Sequence, residues 1–163
     1  MSQATQRSYK HLLGQLNLED IYIQQTFEYY FQRYGEREDM QYFVQHSARI
    51  PDALRDHKFI GVCDRTLGTK IPKTKTLAGG AMRGMLQTVG LIHSTGSERF
   101  RGCVVFPSVD DLGNVISAVG YRFCHRLRHW HSPVIHWQKP ELGAHVQDGW
   151  SFVKEVIYGK THH

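Results

Sequence analysis

The chain has 163 residues, of which 40% are hydrophobic and 12% aromatic, a composition that excludes a disordered protein and suits one folded domain. Its formal net charge of +5 is uneven, because residues 1–50 carry five Lys/Arg against six Asp/Glu whereas residues 51–163 carry fifteen against nine. We therefore expect a polyanionic partner, nucleic acid above all, and a merely basic surface is the alternative.

Membrane and export signals are missing from the sequence. No apolar run approaches the ~20 residues that cross a bilayer, and the polar start is unlike a signal peptide. The three cysteines are an odd number, and no two of them form a Cys-x-x-Cys pair. These features predict a cytoplasmic protein with reduced thiols and without a membrane partner.

Helical spacing of apolar residues dominates the first sixty residues. Residues 1–16 are polar and are expected to fray, whereas Asn17 can cap a helix that Gly35 ends. The aromatic stripe of this helix suits a buried face, with a base-stacking surface as the alternative. Two shorter helices are predicted over residues 39–45 and over Pro51–His57, the second with proline at its first position.

A basic loop and a further helix follow. The loop Gly68–Thr76 can contact phosphate through ammonium and hydroxyl groups, and a solvated surface loop is the alternative. Its lysines are Lys70, Lys73 and Lys75. After the pair Gly79-Gly80, helical spacing predicts a packing helix that Gly90 closes. The two glycines do not begin a phosphate loop, because the Gly-Lys-Ser/Thr element is missing.

The segment from residue 97 to residue 123 has the pattern of a β-hairpin. Cys103–Phe106 is a short apolar run that Pro107 is expected to stop, and Val115–Tyr121 is a second apolar run. Between them, Asp110–Asn114 supplies the residue types of a turn. Basic residues flank the two strands, so that a rigid platform carries fixed cations at Arg99, Arg101 and Arg122.

The sequence of this hairpin resembles a sequence motif in the RNA-polymerase core of bacterial-type DNA primases. In that family an Arg-Phe-Arg phrase precedes an apolar strand that ends in Phe-Pro. An acidic-glycine turn and a second strand that closes on Gly-x-Arg then follow. The corresponding positions here are residues 99–101, 106–107, 110–113 and 120–122.

Weaker similarity to the primase core extends from about Pro51 to Gly159. Pro51–Arg65 resembles a helix and the strand that follows it, although Val62-Cys63 replaces the family's Gly-Tyr-Ala phrase in part. Gly80–Ile92 resembles the next packing helix. The phrase Asp64–Gly68 is similar to one in primase-like proteins of plasmids, phages and other mobile elements.

Helical periodicity before residue 95 and strand patterning after it predict an α+β fold in which amino-terminal helices pack on a small, mainly antiparallel sheet. The resemblance implies the same arrangement, that of the amino-terminal subdomain of the primase core. Residues 1–50 would be a helical segment and residues 51–163 the primase-core-like basic region of one compact domain. The three arginines of the hairpin would contact nucleic acid. The alternative is that Arg99 or Arg101 only forms an exposed ion pair, worth ~0–1 kcal/mol, with one of the nearby acids Glu98, Asp110 and Asp111.

Two parts of a complete primase are missing from the sequence. Primase chemistry requires clustered carboxylates that hold divalent metal ions, and the family carries them in a Toprim subdomain. After Arg122 the chain has only Glu141, Asp148 and Glu155, without an Asp-x-Asp pair. The Cys/His zinc finger of the family is missing too. The resemblance therefore implies a non-catalytic DNA-binding module without cofactors, acting in replication or mobilisation of DNA.

Two other functions stay open. The chain can be an adaptor that docks a protein of a replication, mobilisation or conjugation complex, or the template-binding half of a split primase with a Toprim-containing partner. If the chain binds DNA, we expect it to prefer single-stranded or forked DNA. We also expect little sequence specificity, because phosphate contacts position a protein on DNA but do not distinguish bases.

The segment Tyr121–Trp137 is rich in arginine, histidine and tryptophan. Its cations and rings predict a strip on which phosphates meet Arg126 and Arg128 while a base stacks on Trp130 or Trp137, each stack being worth ~1–3 kcal/mol. Tryptophans buried in the core are the alternative. A zinc site is the less favoured interpretation, because the spacing of the cysteine and histidine residues matches no established zinc finger. Its ligands would be Cys124, His125, His129 and His131.

Overall fold

The computed structural model describes residues 3–71 and 76–140, with side chains from residue 18 onward. Lys73 and Lys75 lie outside the described residues, as does Ser151–Tyr158, where the sequence predicts a last helix or strand. Within the described ranges, three helices and four strands form an α+β fold, which confirms the predicted class. The helices are α1 Gln3–Glu36, α2 Glu38–His46 and α3 Leu77–Thr88, and the strands are β1 Gly61–Cys63, β2 Cys103–Val109, β3 Val115–Arg122 and β4 Val134–Gln138.

The strands form one antiparallel sheet in the order β1-β2-β3-β4. Side chains alternate between its two faces, and in the middle of the sheet both faces are covered. Cys103 and Val105 pack with α1 and α3, whereas Val104 and Phe106 pack with α2 and with Ile50. Burial of β2 on both faces explains why Cys103–Phe106 is a continuous apolar run in the sequence.

Three predicted element boundaries were wrong. The first helix does not begin at Asn17, because α1 runs from Gln3 without a break, and extending an existing helix costs far less than starting one. Gly79 and Gly80 lie inside the first turn of α3, which Thr76 caps by accepting a hydrogen bond from the Gly79 N–H at 3.1 Å. The predicted helix over residues 51–57 is only a 3₁₀ turn at Asp52–Leu54.

Pro107 does not stop the strand, contrary to the prediction. β2 continues to Val109, and Pro107 pairs with Ala118 of β3. On the other side of β2, the short strand β1 pairs only as far as Val105. The proline therefore lies on a locally free edge, where the missing N–H removes no hydrogen bond of the sheet.

Within the described part of the chain, none of the helices combines the length and the apolar character that crossing a bilayer requires.

Helix α1 approaches β1 so closely that a side chain at Gly61 would collide with it. A Cβ atom built on Gly61 lies 2.7 Å from the Tyr30 Cβ and 3.2 Å from the Tyr30 carbonyl carbon. We expect Gly61→Ala to lower the free energy of unfolding by ~1–3 kcal/mol, as overpacking does, in urea unfolding followed by circular dichroism. Gly84→Ala is the control, because it meets no atom within 4 Å and gains helix propensity. An unchanged stability of Gly61→Ala would contradict the close packing.

Candidate nucleic-acid interface

Arg101 and Arg122 are brought together by the pairing of β2 with β3. Arg101 lies just before β2, and Arg122 is the last residue of β3, opposite Cys103. Arg122 donates from Nη1 to the Arg101 carbonyl at 3.3 Å and from Nε to the Ser132 carbonyl at 2.7 Å. These bonds hold the guanidinium in place before any ligand arrives, which reduces the entropy lost on binding.

A groove of about 240 Å³ opens at this edge of the sheet. Arginines from three separate parts of the chain line it, and we call it the arginine groove: Arg37, Arg65, Arg101 and Arg122. Arg37 comes from the junction of α1 and α2, with its guanidinium 5.6 Å from the centroid of the Phe123 ring. Arg37 already forms a two-hydrogen-bond ion pair with Asp39, from Nε at 3.2 Å and from Nη2 at 2.6 Å. The planar forks that can hold a phosphate through two hydrogen bonds are therefore those of Arg65, Arg101 and Arg122.

Asp64 also lines the arginine groove, and its carboxylate forms ion pairs with two arginines. Arg33 donates from Nε at 2.9 Å and from Nη2 at 2.6 Å to Asp64 Oδ2, and Arg37 Nη1 lies 3.4 Å from the same oxygen. Burial alone would raise the pKa of Asp64. The hydrogen bonds from Arg33 and Thr66, together with the two positive charges, outweigh burial and lower that pKa. Asp64 is therefore ionised at neutral pH and holds Arg37 beside the groove.

Arg65 is held in an unfavourable backbone conformation. Its φ of 68° is in the left-handed region that favours glycine, which costs ~1–3 kcal/mol for other residues. The residues on both sides are fixed: Thr66 donates to Asp64 Oδ1 at 2.6 Å and also contacts the Tyr29 hydroxyl. Strain of this kind clusters at functional sites. Arg65 was not predicted from the sequence as a site residue. The one pattern that could have indicated it is the motif Asp64–Gly68, which is similar to one in primase-like proteins of mobile elements.

His131 lies at the side of the arginine groove. Its Nδ1 is shielded from solvent and has no hydrogen-bond partner among the described residues. Burial, followed by the charges of Arg122, Arg128 and Arg101, lowers the pKa of His131. The imidazole is therefore neutral near pH 7, and the permanent charge of the groove comes from its arginines.

Arg99 borders a different groove from Arg101, although only one residue separates them. Its Nε donates to the His136 carbonyl at 2.9 Å, and its neighbours there include Ser117 and Gln138. Within the described residues, neither Arg99 nor Arg101 forms an ion pair with Glu98, Asp110 or Asp111. Asp110 instead accepts the backbone N–H groups of the hairpin turn, from Leu112 and Asn114, at 2.9 Å each.

The loop between β3 and β4 exposes one tryptophan. Trp130 is 62% exposed, and the Arg128 guanidinium lies 5.2 Å from the centroid of its ring. Arg126 is exposed in the same loop. Trp137, by contrast, is only 4% exposed and donates from Nε1 to the Val89 carbonyl at 2.7 Å. Of the two tryptophans considered for base stacking, only Trp130 has a surface that a base could reach.

Of the three lysines of the predicted phosphate-contacting loop, Lys70 is the one that the structure describes, and it lies apart from the arginine groove. Lys70 is exposed and borders a separate pocket together with Tyr22 and Tyr29. The part of the chain that the structure covers contains no group of three or more His, Cys, Asp or Glu side chains that could hold a metal ion. That part includes every ligand of the zinc alternative, namely Cys124, His125, His129 and His131.

Comparison with known proteins finds similar folds. The DnaG catalytic core has a TM-score of 0.54 and 18% identity over 76% of this chain and 39% of that chain. A DNA primase domain from Pseudomonas aeruginosa has a TM-score of 0.50 and 20% identity over 75% and 39%. The zinc-binding and RNA polymerase domains of the Aquifex aeolicus primase have a TM-score of 0.52 and 18% identity over 74% and 29%.

No family model matches the chain, and no curated protein matches it. The chain spans 29–39% of the length of these three primase structures, at 18–20% identity. At this level of sequence identity the comparison shows similarity of fold alone. Helices packed on a four-stranded antiparallel sheet are the arrangement that this protein shares with part of the primase catalytic core.

Proposed function

We propose that this protein is a non-catalytic nucleic-acid-binding module, related to the DNA primase core, that acts in replication or mobilisation of DNA. The observation that carries the proposal is the convergence of four arginines on one groove. They come from the α1–α2 junction, the segment after β1 and both ends of the hairpin, so no local run of charge in the sequence explains their meeting.

The groove suits the backbone of a nucleic-acid strand. Its arginines can hold phosphates, and the exposed ring of Trp130 can stack on a base that is not paired. Arg126 and Arg128 extend the charge along the same loop, and Arg99 and Lys70 are proposed as outer contacts. Lys73 and Lys75 are proposed as phosphate contacts from the sequence alone. A stacking ring needs an unpaired base, which favours single-stranded or forked DNA.

We also propose that the whole chain acts as one compact domain in the cytoplasm, and that it derives from a plasmid, phage or other mobile element. The core supports the first point, because Phe27 and Tyr30 of α1 pack in the same cluster as Val105 and Val115 of the sheet. Among the described residues, α1 and the sheet thus contribute to one hydrophobic cluster, which supports a single domain.

A salt titration tests the proposal. If Arg65, Arg101 and Arg122 neutralise about three phosphates, the logarithm of the association constant for a single-stranded oligonucleotide should fall with a slope of about −2 against the logarithm of salt concentration. Fluorescence anisotropy of a labelled oligonucleotide gives this slope, with a duplex of the same sequence for comparison. If the chain fails to bind either oligonucleotide at low salt, the nucleic-acid function is wrong.

The adaptor function is the second candidate, and one observation favours it. An apolar groove of about 280 Å³ lies between α1 and the hairpin, where Phe31 is 52% exposed and Val109 is 38% exposed. Such a groove can take an apolar side chain of a partner protein from a replication, mobilisation or Toprim-containing complex. Co-purification of a protein partner together with negligible DNA affinity would favour this function over DNA binding.

A further inference from the structure

A second pocket lies next to the arginine groove and shares two of its walls. Its volume is about 210 Å³, and both Arg65 and Arg101 line it as well as the arginine groove. A third arginine, Arg83, enters it from α3, and Ser97 and Glu98 also line it. We call it the triple-arginine pocket. The sequence prediction did not include Arg83 in any site.

Arg83 is the residue that marks the pocket as a binding site. Its Nε is shielded from solvent and finds no hydrogen-bond partner among the described residues. A buried donor without a partner costs ~1–3 kcal/mol, and native structures rarely keep one without a reason. An anion in the pocket would accept this hydrogen bond once the Arg83 side chain turns toward it, because in the described conformation Nε is closed to a ligand oxygen as it is to water.

Glu98 is fixed in the wall of the pocket by groups of the core. Its Oε1 accepts hydrogen bonds from the Tyr30 hydroxyl at 3.1 Å and from the Cys63 thiol at 3.3 Å. Burial raises the pKa of Glu98, against the hydrogen bonds from Cys63 and Tyr30 that lower it. The formal charge of the pocket side chains is therefore +2 when Glu98 is ionised and +3 when it is protonated.

Size and charge together select the ligand. A pocket of about 210 Å³ is smaller than the ~300–1,000 Å³ of sites that enclose a whole small molecule, so it suits a phosphate group without its nucleoside. A phosphate inside a nucleic-acid strand carries one negative charge, whereas a terminal phosphate carries about −1.5 to −2 at pH 7. The charge of +2 or more matches the terminal phosphate.

We propose that the triple-arginine pocket binds a terminal phosphate group, held by Arg65, Arg83 and Arg101. The phosphate has two possible sources, the 5′ end of a DNA strand or a free nucleotide. The first source rests on the proposed function, because the strand would continue from this pocket past Arg101 into the arginine groove. The second source does not depend on it.

The experiment compares two oligonucleotides that differ only in a 5′-phosphate or a 5′-hydroxyl, labelled at the 3′ end and followed by fluorescence anisotropy. We expect the protein to bind the phosphorylated strand about tenfold more tightly. Arg83→Gln should reduce this preference to less than twofold and leave the affinity for the 5′-hydroxyl strand unchanged. Gln87→Ala, on the exposed side of α3, is the matched control and should keep the preference.

Calorimetry with a nucleoside 5′-monophosphate, and with the nucleoside alone, tests the free nucleotide as the source. Binding of the nucleotide but not of the nucleoside, lost in Arg83→Gln, supports the pocket with that source. If Arg83→Gln does not fold, Ser97→Asp replaces it, because a carboxylate there repels phosphate without removing Arg83. If the variant keeps the preference for the 5′-phosphorylated strand, the proposed phosphate site is wrong. It is also wrong if the phosphate improves binding of neither the oligonucleotide nor the nucleoside.

The two proposals fail in different ways. If the 5′-hydroxyl strand does not bind at all while the nucleotide binds through Arg83, the pocket stands and the DNA-binding function falls. If the 5′-hydroxyl strand binds with the expected salt dependence but the terminal phosphate adds nothing, the DNA-binding function stands and the pocket falls.

Discussion

Replacing Arg65, Arg101 and Arg122 together by glutamine is expected to weaken binding of single-stranded DNA at least thirtyfold, which corresponds to ~2 kcal/mol. The reason is that these three line the arginine groove, and glutamine keeps a polar side chain of similar length but removes the charge and the planar fork. Fluorescence anisotropy at low salt measures the change. The salt slope should fall at the same time by about 2, since each lost phosphate contact contributes ~0.7.

Controls separate this effect from a general loss of charge or of folding. Lys58→Gln removes an exposed cation whose ammonium lies over the Phe59 ring, outside the groove, and should change affinity less than twofold. Arg99→Gln should have a smaller effect than Arg101→Gln, because Arg99 borders a different groove. A triple variant that is folded by circular dichroism and binds like the unmodified protein would refute the arginine groove as the DNA site.

The two tryptophans are expected to give opposite results when each is replaced by alanine. Trp137→Ala should lower the free energy of unfolding by ~3–5 kcal/mol, because its ring is buried 5.5 Å from that of Phe27 and its indole satisfies the Val89 carbonyl. Trp130→Ala should leave stability within ~0.5 kcal/mol. It should weaken single-stranded DNA binding by ~1–3 kcal/mol through loss of a stacking surface.

Urea unfolding and anisotropy, measured on the same two variants, check this pair of results. Trp130→Phe keeps an aromatic face and should recover most of the lost affinity, which a purely structural role of Trp130 would not explain. If Trp130→Ala binds DNA normally, the loop between β3 and β4 is not part of the interface. If Trp137→Ala unfolds no more easily, the core as described is wrong.

The secondary structure that depends on local chemistry could be predicted from the sequence. The hairpin turn is stabilised by Asp110, whose carboxylate accepts N–H groups only two and four residues ahead. Gly90, with φ of 86°, follows the end of α3 as a helix-ending glycine does. Apolar spacing then supplied the helix periodicity and the two main strands, and so the α+β class.

The element boundaries depended on neighbours that a sequence does not reveal. Pro107 stays inside β2 because the adjacent strand β1 is too short to reach it, and nothing near Pro107 in the sequence indicates that length. The same holds for the two tryptophans, which lie in one aromatic and basic segment. Only the pairing of β4 with β3 places Trp137 in the core and leaves Trp130 exposed.

The sequence by itself determined that the hairpin has cations at both ends, because Arg101 and Arg122 flank two strands that a tight turn must pair. Only the tertiary structure decided which arginines meet there. Arg37, Arg65 and Arg83 are far apart in the chain, and they reach Arg101 because α1 and α3 pack on the sheet that contains β1. Such convergence depends on long-range packing of buried faces, which leaves no local pattern of charge for a sequence reading to find.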